Sequence, residues 1–347
     1  MVGARMLDRR STLMLISGVI VLIAGAIFAI LAGSSGVGLP ELLLMLQGKE
    51  APGLSREIIL YVRLPRLIAA AGAGGALAVA GLLLQVILGN ILASPSVLGM
   101  NASAGFTVVL AAIIAPLSVV ARFGAAFIGS YLAAIIVFML ARNTGETRRV
   151  IILAGVAITS LFSAGTQMLI TFFPDAVFDK QAFTVGGFAN AQLEWAVPFT
   201  LVIVAALAVS LLLGPRLDVL LLGDEVAGAL GLNVKQVRTI SLMLSALLAA
   251  CAVSLGGLLS FIGLMVPHAL RKVVGNQHRA LLPLCAVWGA AFLIVCDTLA
   301  RIIFAPFDFP VGLILALLGA PFFLSLILRR EGGRRYTFGK RLAGGRR

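Results

Sequence analysis

Residues 64–83 have the sequence LPRLIAAAGAGGALAVAGLL, in which Arg66 is the only charged side chain. About twenty predominantly apolar residues are enough for a helix to cross the hydrocarbon core of a membrane. The stretch is rich in Gly and Ala, and such small residues let membrane helices approach each other closely. No strand pattern precedes the glycines, so they do not match a dinucleotide-binding fingerprint. The sequence therefore predicts a closely packed transmembrane helix.

Similar apolar runs recur along the chain of 347 residues, which is 61% hydrophobic and only 12% charged. An ordinary soluble domain carries about 25% charged residues, so we predict an all-α polytopic membrane protein with a single membrane domain over residues 1–347. The ten predicted spans lie near residues 12–32, 64–83, 96–116, 120–141, 150–173, 196–214, 239–257, 258–270, 281–300 and 311–328. The seventh and eighth are predicted to form a hairpin broken at Gly256-Gly257, because adjacent glycines destabilise a helix interior.

The net charge of +13 arises from 27 basic and 14 acidic residues. With the N-terminus inside, twenty of the 27 Lys and Arg residues fall on the inner side, including those of a basic tail at 329–347. This distribution follows the positive-inside rule and predicts that both termini are cytoplasmic. The charge therefore indicates orientation, with a tail that can also contact anionic membrane lipid, and it argues against a nucleic-acid partner.

Ionisable residues are scarce inside the spans, and Asp297 is the only carboxylate well within an apolar run. A secondary transporter driven by protons or sodium would need such a group. The three cysteines show no metal-ligand spacing and no disulfide framework. No nucleophile–base pair and no phosphate-binding loop is visible either, so the sequence predicts neither an enzyme nor a cofactor or metal site in this chain.

Charged residues collect instead at the ends of the spans. On the outer side, Arg63 and Arg66 begin the second span, and Arg301 ends the ninth. These arginines could anchor helix ends by extending their charged groups towards water. They could equally bind carboxylates of a partner protein, because a guanidinium group pairs with a carboxylate through two hydrogen bonds. The residues alone leave both interpretations open.

On the inner side, the hydrophilic stretch GDEVAGALGLNVKQVR covers Gly223–Arg238. Asp224 is predicted to be the N-cap of a short helix over Glu225–Leu230. Gly231 suits the left-handed position that ends such a helix, and Asn233 is predicted to cap a second helix that continues into the seventh span. A loop with this much local structure indicates a contact with another protein.

Six motifs, in order, resemble the FecCD family of permeases, which are the membrane subunits of ATP-driven (ABC) importers. The resemblance runs from the second span to the C-terminus. The motifs are RLPR (Arg63–Arg66), GNILASPSVLG (Gly89–Gly99), LGDEVAGALGLNV (Leu222–Val234), GLLSFIGLMVPHALR (Gly257–Arg271), DTLAR (Asp297–Arg301) and FPVGLILALLGAPFF (Phe309–Phe323).

The resemblance implies a type II ABC importer permease fold with about ten transmembrane helices, located in the bacterial inner membrane. It implies three kinds of protein partner: two cytoplasmic ATPase subunits that use ATP and Mg²⁺, a substrate-binding protein outside, and a second permease that is either another copy or a related subunit. The expected cargo is an iron chelate, above all an iron-siderophore. The alternatives are haem or vitamin B12 within the same family and, more distantly, an ion-coupled secondary transporter.

Residue roles follow from the same resemblance. The expected ATPase-coupling residues are Gly223, Asp224, Glu225, Ala227, Leu230, Gly231 and Asn233. The residues expected to dock the binding protein are Arg63, Arg66 and Arg301, and those expected at a cytoplasmic gate are Asn90 and Leu92. The chain departs from the family at Ile91, where a proline is common, at Asp308, where Glu is usual, and at Leu315, where Thr is frequent. The change at Ile91 bears on gate rigidity, because proline fixes φ and removes a hydrogen-bond donor.

Overall fold

The computed structural model describes residues 8–32, 38–47, 54–116, 118–144, 147–174, 181, 183–303, 305 and 307–325. The predicted basic tail at 329–347 lies outside them. Within these ranges the chain is helical and contains no strand. The helices are α1 Arg9–Leu31, α2 Leu39–Leu46, α3 Ser55–Leu88, α4 Met100–Ile114, α5 Val119–Thr144, α6 Thr147–Phe172, α7 Leu193–Leu212, α8 Gly214–Leu220, α9 Asp224–Ala229, α10 Val234–Gly256, α11 Ile262–Val274, α12 His278–Ile303 and α13 Val311–Ser325.

The ten predicted spans correspond to α1, α3 to α7 and α10 to α13, and the predicted fold class is confirmed. Seven helices in the described ranges are long and apolar enough to cross a membrane. The other three spans are the shorter helices α4, α11 and α13. The predicted break between the seventh and eighth spans is also confirmed, since α10 ends at Gly256 and Gly257 follows with φ 68°.

Helix α3 lies at the centre of the bundle, and nearly every residue from Pro65 to Leu88 is buried. It packs against α10 and α12 along most of its length. A Cβ on Gly74 would overlap the carbonyl of Gly289 in α12, and one on Gly81 would overlap the carbonyl of Gly263 in α11. The small residues of the opening stretch are therefore required, because backbones meet there directly.

At the end of the bundle that is predicted to face outwards, called the outer end (the opposite end is the inner end), the segments that connect the spans are hydrogen-bonded to one another. The Leu258 N–H donates to the Phe183 carbonyl at 3.1 Å, and the Gly187 N–H donates to the Gly256 carbonyl at 2.9 Å. At the start of α13, the Gly312 N–H donates to the Gly186 carbonyl at 3.2 Å. These bonds satisfy polar groups that a membrane environment would leave unpaired. They join the α10–α11 turn, the segment before α7 and the start of α13 into one unit.

Candidate functional site

The outer end of the bundle contains a cluster of three arginines and two aspartates, which we call the outer cluster: Arg63, Arg66, Asp297, Arg301 and Asp308. Its centre is Arg66, near the outer end of α3 and just after a π-helical turn over Ile58–Arg63. A π-helical turn shifts the side chains that follow it, and such turns are frequent at functional sites.

Arg66 binds two carboxylates with different edges of its guanidinium group. Its Nε and Nη2 donate to Asp297 Oδ2 and Oδ1 at 2.8 and 3.0 Å. Its Nη1 donates to both oxygens of Asp308, each at 2.9 Å. The side chains of Arg66 and Asp297 are 6% and 4% exposed, whereas that of Asp308 is 47% exposed. The first pair is buried between α3 and α12, and the second faces the outside.

The other two arginines of the outer cluster hold the end of α1. Arg63 donates from Nη1 to the carbonyl of Ile30, and Arg301 donates from Nη2 to the carbonyl of Ala29 at 2.9 Å. The last carbonyls of a helix have no partners within the helix, and its C-terminal end attracts cations. Arg301 Nε also lies 3.7 Å from Asp297 Oδ2. The outer cluster therefore ties α1, α3 and α12 together.

The predicted docking arginines are thus brought together, but their guanidinium groups bind their own chain. Arg63 and Arg66 are only 4% and 5% exposed. Their role towards a partner protein stays a prediction. Sequence reasoning left Asp297 without a partner and missed Asp308 as a ligand of Arg66. The spacing of Asp297 and Arg301, four residues apart on one helix, was a usable signal for the first.

Two cavities open beside the outer cluster. One, of about 220 Å³, is lined by Arg66, Asp308 and the segment at 185–190. The other, of about 510 Å³, is lined by Tyr61, Arg122 and Gln192 among others, and it shares Asn190 with the first. The outer end therefore combines a fixed group of charges with space that a side chain from outside can enter.

At the inner end, α9 forms as a short helix, with one correction to the predicted capping. Asp224 is the first residue of α9 and not its N-cap; that position is held by Gly223, whose φ of 98° favours glycine. The Asp224 carboxylate instead accepts a hydrogen bond from Arg238 Nη2 at 2.8 Å. The acid therefore links α9 to α10, which its position in the sequence did not reveal.

The other two capping predictions are confirmed. Gly231 has φ 84°, and its N–H donates to the Gly228 carbonyl while the Leu232 N–H donates to the Ala227 carbonyl. This is the hydrogen-bond pattern of a Schellman motif. Asn233 Oδ1 accepts from the Gln236 N–H at 3.0 Å and so caps α10. Both ends of the bend are thereby satisfied within the chain.

The surface of this bend is apolar, although the sequence around it is hydrophilic. Leu221, Leu222, Val226 and Leu230 are 51%, 58%, 49% and 63% exposed, and we call them the inner apolar patch. Ala227, one of the expected coupling residues, is fully buried and cannot touch a partner directly. The patch was missed because its residues resemble the apolar spans around them. The four-residue spacing of Val226 and Leu230 was the available signal.

Helix α8 fastens this region to the start of α12. Asp218 Oδ1 accepts a hydrogen bond from the His278 backbone N–H at 2.5 Å, and the same oxygen lies 3.2 Å from His278 Nδ1. Burial alone would raise the pKa of Asp218, but the hydrogen bonds from His278 and the backbone N–H of Arg279 prevail and lower it below its ordinary value. A movement of α8 and α9 would therefore be transmitted to α12.

The expected gate residues form a turn directly after α3. Gly89 ends the helix with φ 55°, and Asn90 Oδ1 accepts from the Leu92 N–H at 3.0 Å. The Asn90 carbonyl also accepts from the Ala93 N–H at 3.1 Å. An asparagine side chain that bonds the backbone two residues on stabilises a turn, which offsets the absence of proline at Ile91. Whether this turn acts as a gate stays a prediction.

The chain is similar to known proteins over most of its length. A family model, that of the FecCD transport family, matches residues 20–329. The chain is similar to the hemin transport system permease protein HmuU of Yersinia pestis, with 40% identity over 283 residues, or 79% of this chain and 84% of that protein. It is 37% identical over 273 residues to the Fe(3+) dicitrate transport system permease protein FecD of Escherichia coli (strain K12), covering 78% and 85% of the two chains.

Two further similarities extend the comparison. The cobalamin import system permease protein BtuC of Halobacterium salinarum is 37% identical over 284 residues, covering 81% of this chain and 76% of that protein. Among solved structures, an ABC transporter assigned to the metal-chelate type, in an inward-facing conformation, has a TM-score of 0.77 and 27% identity. It covers 92% of this chain and 99% of its own.

Proposed function

The chain belongs to the FecCD transport family, and on this premise we propose that it is the permease subunit of an ATP-driven importer for an iron chelate. We place it in the inner membrane of a bacterium, with both termini in the cytoplasm. The named relatives that transport hemin and Fe(3+) dicitrate support iron as part of the cargo. An iron-siderophore is our first candidate, with haem next.

The observation that carries the proposal is the inner apolar patch on a rigidly closed bend. Exposed apolar patches mark surfaces that contact other proteins or a membrane, and this patch lies on a connection between spans and not on a span. The bend is capped at both ends and linked by Asp224 to α10 and through α8 to α12. We propose that this patch enters a cleft in one of two ATPase subunits, which hydrolyse ATP with Mg²⁺. The contact then passes their closing movement to the spans.

On the outer side, we propose that a substrate-binding protein docks at the outer cluster and releases cargo into a path between two permeases. The second permease is another copy of this chain or a related subunit. In the described part of the spans the charged side chains lie near the two ends, and those of the outer cluster are paired with each other or with backbone carbonyls. A path of this kind suits a bulky chelate better than a bare ion.

Reconstitution tests the proposal directly. The permease and its ATPase are placed in liposomes with the binding protein of the same transport system, and uptake of a ⁵⁵Fe-hydroxamate, ⁵⁵Fe-citrate, haem and cobalamin is measured with ATP. Uptake of an iron-bearing compound that requires ATP supports the proposal. Uptake of cobalamin alone moves the assignment to vitamin B12, the other alternative within the family, which the cobalamin relative favours. Uptake driven by an ion gradient without the ATPase would overturn it.

A further inference from the structure

The two halves of the Arg66 guanidinium group bind carboxylates that differ in exposure to solvent, and a purely structural salt bridge does not require this difference. The Nε/Nη2 edge is bound by Asp297, which is buried in α12. The Nη1 atom is bound by both oxygens of Asp308, whose side chain is 47% exposed and which lies in the connection before α13. One carboxylate is therefore fixed in the bundle, and the other lies at the surface of the molecule.

We infer that Asp308 is an internal substitute for a carboxylate of the substrate-binding protein, and that docking exchanges one for the other on Arg66. This inference rests on the proposed function. As the structure stands, an incoming carboxylate has no free edge of Arg66 to bind, since the guanidinium group is occupied on both sides. Docking through Arg66 consequently requires that Asp308 leaves, because Asp297 is enclosed.

The cavity beside the pair makes this exchange possible without moving a helix. It has about 220 Å³ and is lined by both Arg66 and Asp308, together with residues 185–190. About 10–15 Å³ of such cavity volume is enough for one water molecule, so the cavity has room for a carboxylate group next to the one already bound. The incoming group can therefore approach Nη1 while Asp308 is still in place.

The charges of the outer cluster favour a carboxylate as the replacement. Three arginines and two aspartates leave one net positive charge, and release of Asp308 from Arg66 raises the local excess by one more. Because the side chain of Asp308 is half exposed, its ion pair is of the kind that contributes little to stability and is screened by salt. The departing carboxylate is hydrated by water, and the incoming one regains the same bidentate geometry.

An internal competitor lowers the apparent affinity of the partner by the fraction of molecules in which Arg66 is released. This device would let the binding protein dissociate after it has delivered its cargo. Asp308 therefore sets the lifetime of the docked complex, whereas Asp297 holds Arg66 in position.

The test uses the permease–ATPase complex in lipid nanodiscs and the cargo-free binding protein of the same transport system. At low ionic strength, we expect Asp308→Asn to bind that protein about twofold to fivefold more tightly than the wild type, the range for loss of one partly exposed ionic competitor. Glu194→Gln is the matched control, because Glu194 is exposed at the outer start of α7 and its loss changes the net charge equally. Asp308→Glu, which keeps the competitor, should bind as the wild type does.

A second measurement does not depend on the binding protein. Phenylglyoxal modifies accessible arginines, and mass spectrometry of the digested complex reports the rate at Arg66. We expect faster modification in Asp308→Asn than in Glu194→Gln or the wild type, with a difference of about twofold to fivefold, in line with the loss of one partly exposed competitor. Equal docking by the two variants, or equal modification rates, would overturn the exchange. If the wild type fails to bind the binding protein at all, the proposed function fails, and the modification rates still show whether Asp308 covers Arg66.

Discussion

Arg66 on α3 and Asp224 on α9 form ion pairs of the same length in very different surroundings. The Arg66–Asp297 pair has side chains 6% and 4% exposed, whereas Arg238 and Asp224 are 11% and 45% exposed, and both pairs have an N–O distance of 2.8 Å. In low-dielectric surroundings an unpaired charge is very unfavourable, while at the surface water and salt replace a lost partner. Distance alone therefore does not tell how much an ion pair stabilises the protein.

The comparison also separates two ways of presenting a contact surface. At the outer end, the charges predicted to meet a partner are bound within the chain, and the half-exposed Asp308 is the position that we propose to be exchanged. At the inner end, Asp224 is bound within the chain as well, and the exposed contact chemistry consists of leucines and a valine. Charged residues at both ends hold the helices together, and the proposed partner contacts are left to side chains that remain accessible.

The largest effect should follow from breaking the buried pair. Arg66→Gln leaves Asp297 as a charge buried in α12 with its main partner removed, and loss of one member of a buried pair lowers the free energy of unfolding by about 3–5 kcal/mol. Denaturant titration in detergent, followed by fluorescence of Trp195 and Trp288, measures the change. Arg56→Gln is the control, because Arg56 is exposed near the start of the same helix. Equal stability of the two variants would show that Asp297 finds other partners.

The second largest effect, a loss of affinity for the ATPase, is expected from changes in the inner apolar patch. The double change Val226→Ser and Leu230→Ser removes two exposed side chains from a proposed interface, where central apolar residues contribute about 1 kcal/mol or more each. We expect about thirtyfold weaker binding of the ATPase, or about 2 kcal/mol, with unchanged stability of the permease. Binding of the purified ATPase to permease nanodiscs measures this.

The control for that variant is Leu212→Ser at the inner end of α7, where the leucine is 76% exposed but lies outside the patch. It replaces one exposed leucine by the same residue as in the patch variant, and it should leave ATPase binding unchanged. If both variants bind the ATPase as the wild type does, the inner apolar patch is not the coupling surface.

Much of this architecture could be predicted from the sequence because the membrane restricts the possible structures. Only helices satisfy their own backbone across hydrocarbon, so each long apolar run had to be a span. The break at Gly256-Gly257 and the ends of the bend at Gly231 and Asn233 were predictable for a related reason, since they depend on local backbone chemistry.

Contacts between distant segments were not predictable in the same way. Asp308 lies 242 residues from Arg66 in sequence, and no periodic pattern joins them. Asp224 was misassigned because Asp at a helix start suits both the N-cap and the first turn, and the positive φ of Gly223 decided between them. Ala227 is buried where α9 packs against α8 and α10, and the nearby acids Asp224 and Glu225 gave no sign of this.

The smallest loss of stability should follow from breaking the more exposed of the two ion pairs, that of Arg238 and Asp224. Asp224→Asn removes the acid that binds Arg238, but the Asp224 side chain is nearly half exposed, so the free energy of unfolding should fall by less than about 1 kcal/mol. The difference should shrink further at high salt, because exposed pairs are screened. Glu225→Gln, on the exposed neighbour in the same first turn, provides the matched loss of one negative charge. Denaturant titrations of both variants at low and high salt measure these changes in the free energy of unfolding. A loss as large as that of Arg66→Gln would mean that α9 depends on Asp224 as strongly as α3 depends on Arg66, and that burial is not what distinguishes the two pairs.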